Sequence, residues 1–438
     1  MKTELEDKLE EGTALGAVIG LGYVGLPLAQ HLCEAGYRVL GFDVDPAKVD
    51  ALRRGESYIK HIPSEWIAQA IAGGAFDPTT DFARLAEADC ISVCVPTPLD
   101  LNGEPDLTYV RETTRAIAEH LRPAQLIVLE STTYPGTTQE LIRPLLEATG
   151  LVAGRDFYLA YSPEREDPGN LRYTIRNIPK VAGGVTPKCA ALVAAYYGKV
   201  FDEIVRVSTP AAAELTKLLE NIFRSVNIAL VNELKMLCHR MDIDVWEVIG
   251  AASTKPFGFM PFQPGPGLGG HCIPIDPFYL SWKARQYDFR TRFIELAGEI
   301  NTAMPNYIVQ RVFEALNEQG TVLKGARLLV LGVAYKKDVD DTRESPALKL
   351  IELLRGHGAQ VDYNDPHVSR LAKGRRYDLQ MVSTPLTAAN LVQYDGVLIV
   401  TDHSDYDYDF IVRHARLVLD TRNATRNVTE GRERIRKV

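Results

Sequence analysis

The amino-acid sequence predicts an α/β protein with two doubly wound parallel-sheet domains joined by a long central helix. Three observations carry this. The first half alternates short apolar runs with amphipathic stretches, a helical run free of Gly and Pro follows, and strand–helix alternation then returns. Strand-like runs separated by helical patterns imply βαβ units and therefore parallel sheets.

In chain order, AVIGLG, YRVLGFD, CISVCVPTP and QLIVLES read as buried strands, with LPLAQHLCEAG as the helix after the first. Thr209-Pro210 supplies an N-cap and a first-turn proline. From Ala211 to Met241 there is neither Gly nor Pro, which predicts one long helix as a spine. Residues 256–277 hold six prolines and five glycines together with Phe257, Phe259, Phe262, His271, Cys272 and Asp276. A flexible linker would be polar and serine-rich, so this segment reads as a rigid, shaped loop. ARLLVLGVAYKK opens a second α/β unit, SPALKLIELLRGHG is its helix, and AQVDYND, GVLIVTD and LVLD are its further strands. The expected domains are residues 1–208, 209–320 and 321–438.

With 438 residues, 46% hydrophobic and 24% charged, the chain can bury sizeable cores and is not disordered as a whole. A formal net charge of -8 argues against a nucleic-acid or membrane-surface binder. An anionic substrate would need a local cationic pocket. MKTELEDKLEEG lacks the apolar stretch of a signal peptide, and no apolar run approaches the roughly 20 residues of a spanning helix. The six cysteines form no CxxC pair and no His/Cys cluster at metal-ligand spacing. Asn423-Ala-Thr and Asn427-Val-Thr match glycosylation acceptors by chance in such a chain. The expectation is a soluble cytoplasmic protein with no metal site.

Gly20-Leu-Gly22-Tyr-Val-Gly25 lies between an apolar strand and an amphipathic helix. The first glycine of such a loop permits a tight turn, the second lets a pyrophosphate approach, and the third allows close helix–strand packing. The helix N-terminus adds unpaired N–H groups and a positive dipole end. The next strand ends in Asp43, whose carboxylate could accept hydrogen bonds from a ribose 2′-hydroxyl and would repel a 2′-phosphate. A Rossmann-like domain that binds NAD in preference to NADP is expected.

Cys272 is the thiol set apart by its surroundings. A cysteine alone is more often a small buried apolar residue than a nucleophile, and Cys33, Cys90, Cys94, Cys189 and Cys238 read that way. In PGPGLGGHCIPIDP, by contrast, glycines allow backbone and ligand to approach, and His271 and Asp276 stand nearby. Lys217 and Asn221, four apart on the long helix, project from one face. Leu215, Leu218, Leu219 and Ile222 flank them and are expected to draw part of that face inward, although a solvated lysine beside a surface amide has the same spacing. Glu164 in YSPEREDPG and Thr132 in ESTTYPG lie on loops after strand-like runs, where parallel sheets bind ligands. Either could equally be an ordinary loop residue.

GLGYVGLPLA, VCVPTP, ESTTYPGTT, YSPEREDPGN, ELTKLLENIFRSVNIALVNE, PGPGLGGHCIPIDPFYL and AYKKDVDDTRESPA, in this order over nearly the whole chain, resemble the UDP-glucose/GDP-mannose dehydrogenase family. The resemblance implies an NAD-binding first domain, a dimer-forming central helix and a C-terminal domain that binds UDP. It implies a four-electron oxidation of a sugar C6 alcohol to a carboxylate with two NAD in turn. Cys272 would hold the aldehyde-level intermediate as a thiohemiacetal, then as a thioester that water hydrolyses. On this likeness Lys217 stabilises oxyanion charge, Asn221 is its partner, and Asp276 is the carboxylate near the thiol and water. Thr132 and Glu164 would order water or serve acid–base steps. Gly20, Gly22, Tyr23, Val24, Gly25, Asp43, Lys48, Thr97, Thr132 and Arg343 correspond to the cofactor site. Glu164, Arg165, Lys217, Asn221, Arg224, Gly267, Tyr335, Lys336 and Arg422 correspond to the substrate site, whose cations would receive a diphosphate.

Two positions depart from the UDP-glucose branch. Pro168 stands in PEREDPG where that branch, with PEFLxEG, has a second glutamate, and Ile275 stands where it has a lysine before the aspartate. Both resemble the N-acetylhexosamine branch, so the resemblance implies UDP-N-acetyl-D-glucosamine as substrate, oxidised for a surface polysaccharide. UDP-N-acetyl-D-mannosamine is the alternative, with UDP-glucose behind it; KPFGF and ESTTYPG favour the gluco form. A homodimer is expected, with no nucleic-acid or membrane partner. A catalytically silent NAD-binding regulator could have lost Cys272, Lys217 or Asn221, and all three are present.

Overall fold

A computed structural model describes residues 3–59, 62–100, 103–166, 173–270, 273, 275–373 and 377–438. Cys272 and His271, and Pro168 of the PEREDPG loop, lie outside the described residues. The chain forms two compact units, Met1–Glu220 with Phe278–Phe289 and Asn221–Pro277 with Arg290–Val438.

The first unit is built on eight strands: β1 (Leu15–Ile19), β2 (Arg38–Phe42), β3 (Phe76–Thr79), β4 (Cys90–Val93), β5 (Leu126–Leu129), β6 (Tyr158–Tyr161), β7 (Lys180–Gly184) and β8 (Ile204–Val207). Their order is β3-β2-β1-β4-β5-β6-β7-β8. β1 lies parallel to β2, with Leu15 opposite Arg38, and parallel to β4, with Gly16 opposite Cys90. The strand order reverses between β1 and β4, which makes their carboxyl ends the crevice where such sheets bind ligands. β7 runs antiparallel to β6 and parallel to β8, so the last two strands are inverted relative to the rest. β4, β5 and β6 are buried along their whole length, as strands covered on both faces must be. Val18, Leu28, Leu32, Val39, Val128 and Tyr196 are among the core side chains.

The charged N-terminal stretch forms the helix Glu4–Glu11, which buries Leu5 and Leu9. The Glu6 carboxylate accepts the Thr3 N–H at 2.7 Å, so this segment opens with a capping interaction.

The predicted spine is the central helix Pro210–Arg240, 31 residues long. Thr209 Oγ1 accepts the Ala212 N–H at 3.1 Å, as an N-cap does. The expectation for its leucines holds in part: Leu218 and Ile222 are buried, but Leu215 and Leu219 are 42% and 62% exposed.

The second unit contains β9 (Arg327–Leu331), β10 (Gln360–Asn364), β11 (Arg370–Lys373), β12 (Asp378–Val382), β13 (Gly396–Ile399), β14 (Val418–Asp420) and β15 (Ile435–Lys437). Five of them make a parallel sheet in the order β10-β9-β13-β14-β15, and β11 pairs antiparallel with β12. The helix Pro346–Gly356 packs Leu350, Ile351 and Leu354 into the core of this unit. The proline- and glycine-rich loop is bonded to the central helix at Gly265. The Gly265 N–H donates to Asn232 Oδ1 at 2.9 Å, and Asn232 in turn donates to Asn301 Oδ1 at 3.0 Å. Among the described residues, no helix is long and apolar enough to cross a membrane.

Candidate active site

The three glycines after β1 meet three different spatial demands. Gly20 has φ +92°, and a Cβ there would lie 2.5 Å from the Cys94 carbonyl oxygen; at Gly25 it would lie 1.9 Å from the Gly20 carbonyl oxygen. At Gly22 nothing lies within 4 Å. The outer glycines are closed against protein, while the middle one leaves backbone open to a ligand. Asp43, buried at the end of β2, is fixed beside this loop. Its Oδ2 accepts the Leu21 N–H and the Lys48 ammonium, both at 3.0 Å, and its Oδ1 accepts the Asp45 N–H at 3.0 Å. Tyr23 is exposed and Val24 half-buried at the helix start, and the buried Thr97 accepts the Tyr279 hydroxyl on its carbonyl at 2.8 Å. The open backbone at Gly22 beside a fixed carboxylate fits a dinucleotide.

A buried ionic cluster lies behind Glu164. The side chains of Glu130, just after β5, and Lys180, which begins β7, are 0% and 2% exposed and 2.5 Å apart. The Tyr197 hydroxyl donates to Glu130, and Lys180 Nζ is 3.8 Å from Glu164 Oε2. Burial opposes the charge of Lys180, yet Glu130 and Glu164 hold its pKa above the ordinary lysine value. Burial raises the pKa of Glu130. Glu164 Oε1 accepts the Glu166 N–H, and its backbone carbonyl accepts from the Lys217 ammonium. Arg165 is held by Glu220 at 2.7 Å and by the Pro179 carbonyl. Glu214 takes the Gly136 N–H at 2.6 Å, the Thr138 N–H at 2.9 Å and the Thr138 hydroxyl at 2.7 Å. It thereby ties the loop after the half-buried Thr132 to the central helix.

In the second unit Asn221, 3% exposed, donates to Asp276 Oδ2 at 2.5 Å, and Asp276 is 2% exposed. Arg224 is exposed, and its guanidinium reaches Asn221 Oδ1 at 3.4 Å. Around Gly267, Gly269 and Gly270 the room a Cβ would need is taken by protein. It would come 3.2 Å from Pro346, 2.8 Å from Tyr335 Cβ and 2.9 Å from the Tyr335 ring, respectively. The glycines here let Tyr335 lie against the loop. Tyr335 and Lys336 are half-buried, and Arg343 is paired with Asp341 at 2.6 Å. Arg422, half-buried, donates to the Val400 carbonyl at 3.0 Å, and burial lowers its pKa.

Burial pushes the Cys33 thiol up to about 12, and those of Cys90 and Cys94 well above their ordinary value, so none of the three is poised to react. Ligand atoms of Asp338, His367 and His403 lie within 4.8 Å of one another. His403 Nδ1 already accepts the Asp338 N–H at 2.9 Å, and its Nε2 meets Asp365 at 3.1 Å. Sequence reasoning passed over Glu130, Lys180 and Glu214. For the first two the available signal was a charged residue set directly against a buried strand run.

Sequence profiles of the UDP-glucose/GDP-mannose dehydrogenase family match the chain in three consecutive parts. The NAD binding domain covers residues 16–201, the central domain 211–303 and the UDP binding domain 329–427. The chain belongs to this family. This nucleotide-sugar dehydrogenase is 36% identical over 394 residues to UDP-N-acetyl-D-glucosamine 6-dehydrogenase of Pseudomonas aeruginosa, covering 89% of this chain and 90% of the relative. It is 35% identical over 425 residues to UDP-N-acetyl-D-mannosamine dehydrogenase of Pyrococcus horikoshii, covering 95% and 97%. A solved structure of a UDP-D-ManNAc dehydrogenase from Pyrococcus horikoshii matches with TM-score 0.85 and 33% identity over 95% of this chain and 96% of that one. The protein is an NAD-dependent oxidoreductase acting on a CH–OH group, with a UDP-sugar binding domain.

Proposed function

We propose that the protein oxidises the C6 hydroxyl of UDP-N-acetyl-D-glucosamine to the carboxylate, supplying UDP-N-acetyl-D-glucosaminuronate for a surface polysaccharide. The observation that carries this reading is one turn of the central helix. There Lys217 is set on the backbone of the Glu164 loop, and Asn221 on the carboxylate of Asp276, four residues beyond Cys272. The working division is a cofactor domain of residues 1–208, a central region of 209–320 and a UDP-sugar domain of 321–438.

Bound NAD supplies the hydride acceptor for both oxidations. The chain does the rest. The Cys272 thiolate adds to the aldehyde carbon, and the Lys217 ammonium stabilises the oxyanion that forms, a role worth roughly 3–4 kcal/mol. Oxidation of this thiohemiacetal leaves a thioester on Cys272. Water ordered by Asp276, Thr132 and Glu164 attacks it, which frees the carboxylate and the thiolate. One alcohol and one water thus become a carboxylate, with two reduced cofactors and three protons. Arg165, Arg224, Gly267, Tyr335, Lys336 and Arg422 would hold the nucleotide sugar, and Arg343 would complete the cofactor site. Exposed Leu219, Phe223 and Leu230 on the central helix support a homodimer.

NADH formed per sugar, from limiting UDP-N-acetyl-D-glucosamine and excess NAD, tests the reading. Two NADH per sugar are expected, with UDP-N-acetyl-D-mannosamine and UDP-glucose slower; a single NADH would reject the two-step oxidation. The second reading, a UDP-N-acetyl-D-mannosamine dehydrogenase, is favoured by the Pyrococcus horikoshii relative, which aligns with 95% of the chain. Preference for the manno sugar in the same assay would select it.

A further inference from the structure

The C-terminal part of the central helix carries a buried cation with nothing to bond. Lys235 is 6% exposed, and its Nζ has no hydrogen-bond partner among the described residues. A polar group buried in this way is costly unless something pairs with it. Arg422 and Arg311 oppose its charge, and Asp420 favours it. The Asp420 carboxylate, however, is already engaged by the N–H groups of Arg422 and Ala424 and by the N–H and hydroxyl of Thr425. Burial, reinforced by Arg422, brings the Lys235 pKa down to about 7.

Lys235 opens on a cavity of about 290 Å³ lined also by His239, Asp242, Trp246, Tyr307 and Lys437. That volume is just under the roughly 300 Å³ at which small-molecule pockets begin. Burial lowers the His239 pKa, and Arg311 adds to the effect. At the rim Lys437 is paired with Asp244. Lys235 follows Asn221 on the same helix by nearly four turns, roughly 20 Å along the axis, so the cavity is separate from the residues proposed for catalysis. Its lining joins an unpaired buried cation to two aromatic side chains, which suits a small organic molecule carrying an oxyanion.

We propose that this cavity is an anion site that takes a small phosphate ester, with the phosphate on Lys235 and the organic part between Trp246 and Tyr307. The inference does not depend on which sugar is oxidised. Phosphate on Lys235 would restore its charge through charge-assisted hydrogen bonds, so binding takes up a proton. Binding of sulfate, whose own charge is constant near neutrality, should therefore weaken as pH rises through neutral.

The test is calorimetric titration of the full-length protein with inorganic phosphate and with glycerol 3-phosphate, at constant ionic strength and with UDP present at saturation. Wild type is expected to bind both, the ester more tightly, and Lys235→Met to bind roughly tenfold or more weakly. Lys235→Met should also unfold no earlier than wild type in phosphate-free buffer, because it removes a buried charge without breaking a bond. Absence of binding to wild type, equal binding by Lys235→Met, or loss of binding whenever UDP is present would each overturn the proposal. The last outcome would place the anion in the nucleotide-sugar site.

Discussion

Replacing Lys180 by methionine tests the ionic cluster behind Glu164. Methionine keeps much of the apolar stem and removes the charge. Glu130 would remain fully buried, with the Tyr197 hydroxyl as its donor. Removing one partner of a buried pair costs about 3–5 kcal/mol, and Glu130 can limit the loss by taking up a proton. Burial already raises its pKa, and without Lys180 nothing charged opposes that rise. A carboxyl whose folded pKa lies above its unfolded value contributes most to stability below the unfolded pKa, and loses that contribution as pH rises through the folded value. The variant should therefore be weakest at neutral and alkaline pH and recover part of its stability in mild acid. Urea midpoints measured across that range read the effect. Adding Glu130→Gln removes the stranded carboxylate and should restore about 1 kcal/mol or more at neutral pH, a coupling expected of residues in contact. A Lys180→Met protein within about 1 kcal/mol of wild type, or a double variant no more stable than the single one, would refute the reasoning.

The glycine loop separates folding from binding. Gly25→Ala, whose Cβ would lie 1.9 Å from the Gly20 carbonyl oxygen, should yield little folded protein. Gly22→Ala, with nothing within 4 Å, should keep its unfolding midpoint while KM for NAD rises roughly tenfold or more. Lys217→Ala should lower kcat by about 10²–10³ in steady-state assays with little change in unfolding midpoint, and near-wild-type turnover would exclude an oxyanion role. Cys272→Ala should form no uronate from the alcohol, and full conversion measured by product chromatography would exclude the covalent route.

Much of the architecture was legible because strands covered on both faces must be apolar throughout. CISV in β4 and LIVL in β5 are buried at every position. Direction is not written in such runs. KVAGG resembles its neighbours, yet β7 pairs antiparallel with β6. The helix Glu4–Glu11 was not anticipated in the charged N-terminal stretch because its inward face is only Leu5 and Leu9, one turn apart. Within the site, the glycine loop was legible because its chemistry is contiguous. The Lys180–Glu130 pair joins residues 50 apart and the Glu214–Thr138 bond residues 76 apart, so neither left a local pattern.

The central helix explains why the rule of apolar residues inside misread Leu215 and Leu219. Glu214, Asn221, Ser225, Asn232 and Lys235 recur at helical spacing, and each is at most 6% exposed. Leu219, Phe223, Leu230 and Leu237 recur on another face, and they are 62%, 47%, 55% and 50% exposed. The helix is amphipathic with its polar stripe turned inward. Such a stripe is costly where a buried polar group lacks a partner, as Lys235 does among the described residues, but three of its members are bonded. Glu214 finds Thr138, Asn221 finds Asp276 and Asn232 finds Gly265. Within each unit, segments distant in sequence are thus bonded to the stretch of this helix that the unit contains. The apolar stripe left outside would seat the second copy of the proposed homodimer, so that proposal and the proposed site rest on opposite consequences of the same inversion.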